Sequence, residues 1–138
     1  MEFELLYELD SNQIRYLNRK LEEHDDYYIK DNLSGDINIG IKHNNQLIAG
    51  VISTFSTMKI LYVSTIYVDD SFRKKGLGKK LMKEVENKAI ELGAELIRID
   101  TFEWQAPEFY TKLGYEQVGY YENKTKEFSE YFFVKYLH

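Results

Sequence analysis

The residues from Arg73 to Lys83 combine six basic side chains with two glycines and contain no acidic residue. The other twelve of the eighteen basic residues and all twenty-three acidic residues lie elsewhere, and the net charge of the chain is −5. A cationic segment in an acidic protein is typical of a site that binds an anion. Because Gly76 and Gly78 lie between the charges, such an anion can reach backbone N–H groups as well as side chains.

This loop, Arg73-x-x-Gly76-x-Gly78, leaves a predicted strand and opens a predicted helix. The free amides of the first helical turn and the positive end of the helix dipole would then face the anion, which favours a pyrophosphate. A Cβ at either glycine would keep phosphate oxygens away from these amides. Charge around the site would come from four side chains: Arg73, Lys74, Lys75 and Lys79. The alternative is a helix start with a solvated lysine face.

Two other phosphate-binding loops are excluded by spacing. A Walker loop needs a glycine five residues before Gly78 and Ser or Thr after the lysine, but Arg73 and Lys80 occupy these positions. In a Rossmann loop a third glycine would stand where this chain has Leu81. Nucleotide hydrolysis and dinucleotide redox chemistry therefore lose support.

Composition narrows the class of protein further. The chain has 138 residues, no cysteine and three scattered histidines, which predicts one domain over residues 1–138 with neither disulfide nor metal. It contains no apolar run of membrane-spanning length and no basic leader, so we expect a soluble, cytoplasmic protein. An acidic chain with one short basic cluster is unlike a nucleic-acid binder, a class that steep salt-dependent affinity for DNA or RNA would reveal.

The elements that must position this loop follow from periodicity and turn signals. Strands are predicted at 3–9, 37–42, 46–56, 59–68, 96–101, 115–121 and 130–137, and helices at 11–24, 76–92 and 107–113. Asp10 with Gln13 predicts a capping box, Asn44-Asn45 a tight hairpin turn, and Gly93 a helix end. The fold class is α/β: a mixed, largely antiparallel sheet of six to seven strands with a central parallel β-α-β unit and helices on both faces.

The segment from Ile66 to Gly78 resembles the acyl-CoA signature of the GNAT superfamily of N-acetyltransferases. A second stretch, which holds Thr101, Gln105-Ala106-Pro107, Phe109-Tyr110 and Lys112-Leu113-Gly114-Tyr115, is similar to the next conserved segment of small bacterial members. The resemblance covers about half to two-thirds of the chain. It implies acetyl-CoA as co-substrate, with a pantetheine arm that pairs with the strand as an added strand would, and cofactor contacts from ten residues: Ile66, Tyr67, Val68, Arg73, Lys74, Lys75, Gly76, Leu77, Gly78 and Lys79.

The same resemblance implies the catalytic groups. Tyr110 would protonate the departing thiolate, and the backbone amide of Val68 would stabilise the oxyanion. Many relatives carry a carboxylate on the strand before the glycine loop, but 61–65 contains none. Glu103 and Asp100 are the candidates for the base. Glu103 also stands where many relatives have an asparagine that contacts the cofactor, so either role is open to it.

The sequence therefore predicts an enzyme that moves an acetyl group directly from acetyl-CoA to a primary amine. The expected acceptor is a small molecule, and a protein amine is the second option. The alternative is a GNAT-like module that binds acyl-CoA without catalysis, which the missing strand carboxylate favours. Trp104 and Tyr27-Tyr28 could line a substrate cleft, pack in the core or form a homodimer surface.

Overall fold

A computed structural model describes residues 1–137 and separates the chain into two compact units, residues 1–31 and the remainder. The first unit contains α1 (Ser11–Asp25). The predicted capping box is confirmed: the Asp10 carboxylate accepts from Gln13 N–H at 2.8 Å, and the Gln13 side chain accepts from Asp10 N–H at 2.9 Å. No residue of α1 is buried.

The second unit is a six-stranded sheet in the order β1-β2-β3-β4-β6-β5. The strands are β1 (Asp36–His43), β2 (Gln46–Phe55), β3 (Ile60–Val68), β4 (Leu96–Phe102), β5 (Glu116–Glu122) and β6 (Ser129–Tyr136). Among the strands of the described residues, only β3 and β4 pair in parallel, as the predicted β-α-β unit requires, and the other neighbours are antiparallel. The mixed, largely antiparallel α/β class is confirmed.

The predicted strand at 3–9 is wrong, because the structure assigns no strand to those residues. Loose alternation of apolar residues does not make a strand unless a neighbouring strand accepts its backbone hydrogen bonds. The turn prediction at Asn44 and Asn45 is confirmed by their positive φ values of 50° and 64°. These left-handed conformations suit a tight hairpin between β1 and β2.

Two helices flank the sheet within the second unit. In α2 (Leu77–Leu92), the buried residues Leu81, Val85 and Ala89 recur at helical spacing and pack in the core with Ile97 and Ile99 of β4. The short α3 (Pro107–Lys112) buries Tyr110 against Phe133, which pairs with Ile99 and therefore lies on the same face. Thus α2 and α3 cover one face of the sheet. The expectation that helices cover both faces of the sheet stays a prediction.

The parallel pairing of β3 and β4 ends at Val63 and Ile99, although both strands continue beyond these residues. Ser53 pairs with Val63 and Ile52 pairs with Thr65, so Ser64 is the extra residue of a β-bulge. The bulge turns β3 away from β4 and leaves a gap between two strands at the centre of the sheet.

Candidate active site

A cleft of about 820 Å³ opens where β3 and β4 separate. Its walls come from β3, the glycine loop, the first turn of α2, the end of β4 and the start of α3. Nine of the ten residues expected to contact the cofactor line it: Ile66, Tyr67, Val68, Arg73, Lys74, Gly76, Leu77, Gly78 and Lys79. Tyr110 lines it as well. The two sequence motifs, which are separate in the chain, therefore meet at one cavity.

The backbone of β3 presents amides to this cleft. Asp69 N–H donates to Ile48 O of β2 at 2.8 Å. Successive N–H groups of an extended chain point to opposite edges, so the amides of Val68 and Ile66 point away from β2. On that side, β3 has no strand partner beyond Val63 in the part of the chain that the structure describes. An extended ligand can therefore pair with the free edge of β3.

The start of α2 forms the second part of the cleft. Gly76 is the N-cap residue, has φ +78°, and offers no side chain to cap the helix. Lys80 N–H is the first amide of the helix to bond internally, to Gly76 O at 3.0 Å. The amides of Leu77, Gly78 and Lys79 have no hydrogen-bond partner among the described residues. Together with the positive end of the helix dipole, these amides suit a phosphate group.

Each of the two glycines also has a structural reason of its own, separate from the access to phosphate that the sequence suggested. A Cβ on Gly76 would meet nothing within 4 Å, and this position favours glycine because its φ is +78°. A Cβ on Gly78 would stand 3.2 Å from Cζ of Phe109. Gly78 therefore lets α3 pack closely on the first turn of α2.

The basic side chains of the loop are not equivalent. The guanidinium of Arg73 donates to Val68 O at 2.9 Å and pairs with Asp70 at 2.9 Å, so it braces the loop against the end of β3. Lys74 lines the cleft in a left-handed conformation, with φ +63°. Lys79 also lines the cleft, whereas Lys75 is exposed outside it. Lys74 and Lys79 are thus the cations best placed to meet an anion.

Tyr110 is only 4% exposed and packs edge-on against Phe109 and Tyr115. The Tyr110 hydroxyl has no hydrogen-bond partner among the described residues. Every buried polar side-chain atom of those residues does have a partner, so the hydroxyl oxygen of Tyr110 is not a buried atom. The oxygen is therefore reachable from the cleft that Tyr110 lines. Burial of the ring raises the pKa of Tyr110 to about 12, which keeps the phenol protonated at neutral pH.

A polar cluster holds the chain around Tyr110. The Tyr115 hydroxyl donates to Glu86 of α2 at 2.8 Å, and the same carboxylate pairs with Lys135 of β6 at 2.9 Å. Lys135 also donates to Leu113 O, at the end of α3, at 2.9 Å. Burial and the neighbouring Glu86 carboxylate raise the pKa of Tyr115, so its phenol remains a donor. The cluster ties α2, α3 and β6 together behind the cleft.

The structure separates the two carboxylates that the sequence left open. Asp100 lines the cleft, half-buried, and accepts a hydrogen bond from the Tyr62 hydroxyl at 3.3 Å. Burial, and then the Asp100 carboxylate, raise the pKa of Tyr62. Glu103 lies outside the cleft lining and accepts from the Ser129 hydroxyl at 3.3 Å. Asp100 is therefore better placed than Glu103 to act on a ligand.

Some cleft residues were not predicted from the sequence as functional, among them Val63, Phe72 and Ile99. They are apolar residues whose role depends on which elements meet at the cleft, and nothing local in the sequence marks them. Trp104, considered for a substrate cleft, lines this one and is 66% exposed. The Tyr27-Tyr28 pair lies in the first unit, with ring centroids 5.0 Å apart. Among residues 1–137, no helix is long and apolar enough to cross a bilayer.

Comparison with known proteins bears on the family and the fold of the chain. The family described as the acetyltransferase (GNAT) family matches residues 3–115. A crystal structure of an acetyltransferase from Bacillus cereus superposes with a TM-score of 0.88 and 28% identity, covering 96% of this chain and 97% of that one. A Bacillus anthracis protein named as a streptothricin acetyltransferase, solved with acetyl coenzyme A, has the same fold at TM-score 0.66 and 23% identity, over 78% of this chain and 64% of that one.

An acetyltransferase of Agrobacterium fabrum is 27% identical over 84 residues, which are 61% of this chain and 61% of that protein. The match with this chain thus spans about three-fifths or less of the length of these curated relatives. The family match itself extends over most of the chain and includes both motifs that meet at the cleft. The chain belongs to the GNAT family of acetyltransferases.

Proposed function

We propose that this protein transfers an acetyl group from acetyl-CoA to the primary amine of a small molecule. One observation carries the proposal: the free amides of Ile66 and Val68 face a cleft bounded by the uncapped start of α2 on one side and by Tyr110 on another. These are the three contacts that a phosphorylated, extended thioester needs: phosphate donors, a strand edge and a proton source.

The pyrophosphate of the co-substrate would lie at the first turn of α2. The amides of Leu77, Gly78 and Lys79 would donate to its oxygens, and Lys74 and Lys79 would supply charge. The pantetheine arm would run along β3 from Val68 towards the bulge at Ser64 and pair with the edge that β4 has left. Lys75 lies outside the cleft and has no direct part in this arrangement.

The acetyl group would lie in the gap between β3 and β4. The lone pair of a neutral amine attacks the carbonyl carbon, the C–S bond breaks, and the sulfur leaves with the electron pair of that bond. An amide that points into the cleft stabilises the oxyanion: Val68, as the family resemblance implies, or Ile66, which is nearer the bulge. The protonated phenol of Tyr110 gives its proton to the thiolate, and the nitrogen that attacked, now positively charged, gives one proton to water as the amide forms. The phenolate regains its proton from water.

Direct transfer between the two bound substrates fits the residues of this chain. It contains no cysteine, and Ser64 is the only serine in the cleft lining of the described chain, placed at the bulge with its hydroxyl donating to Ile52 O at 3.3 Å. Among residues 1–137, no histidine lines the cleft with it to act as its base. An acyl-enzyme intermediate therefore has no support.

The test is release of free CoA from acetyl-CoA, followed with a thiol reagent, in the presence of a panel of primary amines. We include an aminoglycoside, a lysine peptide and short diamines, so that small-molecule and protein-like acceptors are both represented. Amine-dependent release of CoA that requires Tyr110 supports the proposal. Calorimetry that detects CoA binding without turnover of any amine would instead indicate a non-catalytic acyl-CoA-binding module, and absence of binding would refute both.

A further inference from the structure

The carboxylate of Asp100 forms no ion pair with any of the described residues. It is half-buried in the wall of the cleft and accepts one hydrogen bond, from the Tyr62 hydroxyl at 3.3 Å. Arg98, two residues earlier on β4, lies over the Tyr62 ring at 4.9 Å. A carboxylate that is partly removed from water and unpaired favours a bound cation.

Asp100 and Tyr110 approach the gap from opposite faces of the sheet. Ile99 and Thr101, its neighbours on β4, are buried with the core under α2 and α3. Because side chains alternate along a strand, Asp100 points to the other face, together with Tyr62 and Arg98. Tyr110 packs on Phe133, which pairs with Ile99 and belongs to the core face. A nucleophile that enters beside Asp100 would therefore attack from the face opposite the group that protonates sulfur.

Trp104 adds an aromatic wall to the same cleft. One face of its indole stacks on Phe102, with ring centroids 4.9 Å apart and planes at 7°. The residue is 66% exposed, so the other face of the indole is open. An indole face attracts alkylammonium groups, particularly when a carboxylate shares the site. These two groups recognise the charge of an amine rather than any particular carbon skeleton.

We propose that Asp100, oriented by Tyr62, and Trp104 form the acceptor subsite, and that this subsite selects amines that arrive as alkylammonium cations. Asp100 binds the ammonium through a charge-assisted hydrogen bond and accepts its proton, which then passes to water, so that the free amine can attack. This inference rests on the proposed acetyl transfer. In it, Asp100 takes the place of the carboxylate that many family members carry on the strand equivalent to β3.

The single tryptophan of the chain provides a direct test of binding. The protein is saturated with CoA and titrated with 1,5-diaminopentane, and Trp104 emission is recorded. Its uncharged counterpart, 1,5-pentanediol, is titrated in parallel. We expect a saturable change with the diamine and none with the diol. Asp100→Asn should weaken binding of the diamine at least tenfold, while Glu116→Gln, which removes an exposed charge on β5, should leave it within twofold.

Turnover gives the second measurement. With an amine that the wild type acetylates, Asp100→Asn should lower kcat/KM for the amine at least a hundredfold and leave the KM for acetyl-CoA within twofold. Tyr62→Phe, which removes only the hydrogen bond to Asp100, should lower kcat/KM for the amine about fivefold. Equal responses to the diamine and the diol, or full activity of Asp100→Asn, would overturn this inference. Binding of CoA and amine-dependent turnover would survive that result, so the proposed function would stand.

Discussion

Gly78 of α2 lies directly against Phe109 of α3: a Cβ on Gly78 would stand 3.2 Å from the Cζ atom of that ring. Both residues line the cleft, and the lack of a side chain on Gly78 lets the start of α2 pack closely on α3, the helix that carries Tyr110. The spacing between the two halves of the site therefore depends on this contact.

We expect Gly78→Ala to push Phe109 aside and to weaken CoA binding about tenfold, because the ring lies in the wall of the cleft. Phe109→Leu in the same chain should restore most of the affinity, since the shorter side chain makes room for the new methyl group. Isothermal titration with CoA measures both variants. If the double variant binds no better than Gly78→Ala alone, the contact with Phe109 does not explain the glycine.

At Gly76 the same substitution should act through the backbone. No atom lies within 4 Å of a Cβ there, but φ is +78°, and a left-handed conformation costs a residue with a side chain about 1 kcal/mol. Gly76→Ala should therefore lower the free energy of unfolding by that amount, as measured by urea denaturation. Gly76→Asn, whose side chain tolerates this region better, should lose less. Equal stability of all three proteins would contradict a conformational role for Gly76.

Local signals in the sequence predicted much of this fold. The Asp10–Gln13 capping box, the Asn44-Asn45 turn and the stop at Gly93 each depend on a few neighbouring residues, and each is present in the structure. The prediction of a strand at 3–9 was wrong, because the pairing of a strand is decided by residues that are distant in the sequence. The packing of Gly78 on Phe109 and the preference for Asp100 over Glu103 depend on tertiary contacts in the same way. From the sequence, Asp100 was only a candidate for the base, and the end of the pairing between β3 and β4 shows that it reaches a cleft.

Replacement of Tyr110 by phenylalanine should separate catalysis from binding. The hydroxyl has no hydrogen-bond partner among the described residues, so its loss should leave stability and the KM for acetyl-CoA nearly unchanged. Loss of a general acid should lower kcat about a hundredfold. Steady-state kinetics with the thiol reagent measure both parameters. Unchanged kcat would exclude Tyr110 as the proton donor, and a large rise in KM would assign it to binding instead.

The raised pKa of Tyr110 also predicts how stability depends on pH. An unfolded tyrosine loses its proton near pH 10, whereas burial raises the pKa of Tyr110 in the folded protein to about 12. The folded state therefore holds this proton more tightly. Its contribution to stability is complete below pH 10 and is lost as the pH rises through 12. Between pH 9 and pH 11 the wild type should lose about 1 kcal/mol more than Tyr110→Phe, as measured by urea denaturation at each pH.

Lys79 and Lys75 form a matched pair for testing which lysines of the basic segment contact the co-substrate. Lys79 lines the cleft and Lys75 does not, although both belong to the same basic segment. Lys79→Gln should weaken CoA binding five- to tenfold through the loss of a charge-assisted contact with phosphate. Lys75→Gln should change it less than twofold. If both substitutions weaken binding equally, the segment acts through its total charge, and binding should then fall steeply with salt for every variant.

The ion pair between Lys135 and Glu86 should contribute more to stability than the surface pairs. Their side chains are 27% and 16% exposed, and Lys135 also donates to Leu113 O at the end of α3. Lys135→Met leaves the carboxylate and the carbonyl without this donor and should lower the free energy of unfolding by about 2 kcal/mol. Lys59→Met is the control, because its pair with Glu95 is 3.8 Å long and exposed, and its loss should cost under about 0.5 kcal/mol.

A second substitution should recover part of that loss. Glu86→Gln removes the uncompensated charge but keeps an oxygen that can accept from the Tyr115 hydroxyl, 2.8 Å away in the wild type. The double variant Glu86→Gln/Lys135→Met should therefore be more stable than Lys135→Met alone, which urea denaturation of the four proteins of the cycle would measure. Coupling between Lys135 and Glu86 requires the double variant to depart from the sum of the single changes. Additive losses would therefore mean that Lys135 acts through its contacts with Leu113 O and the Tyr115 ring, and not through Glu86.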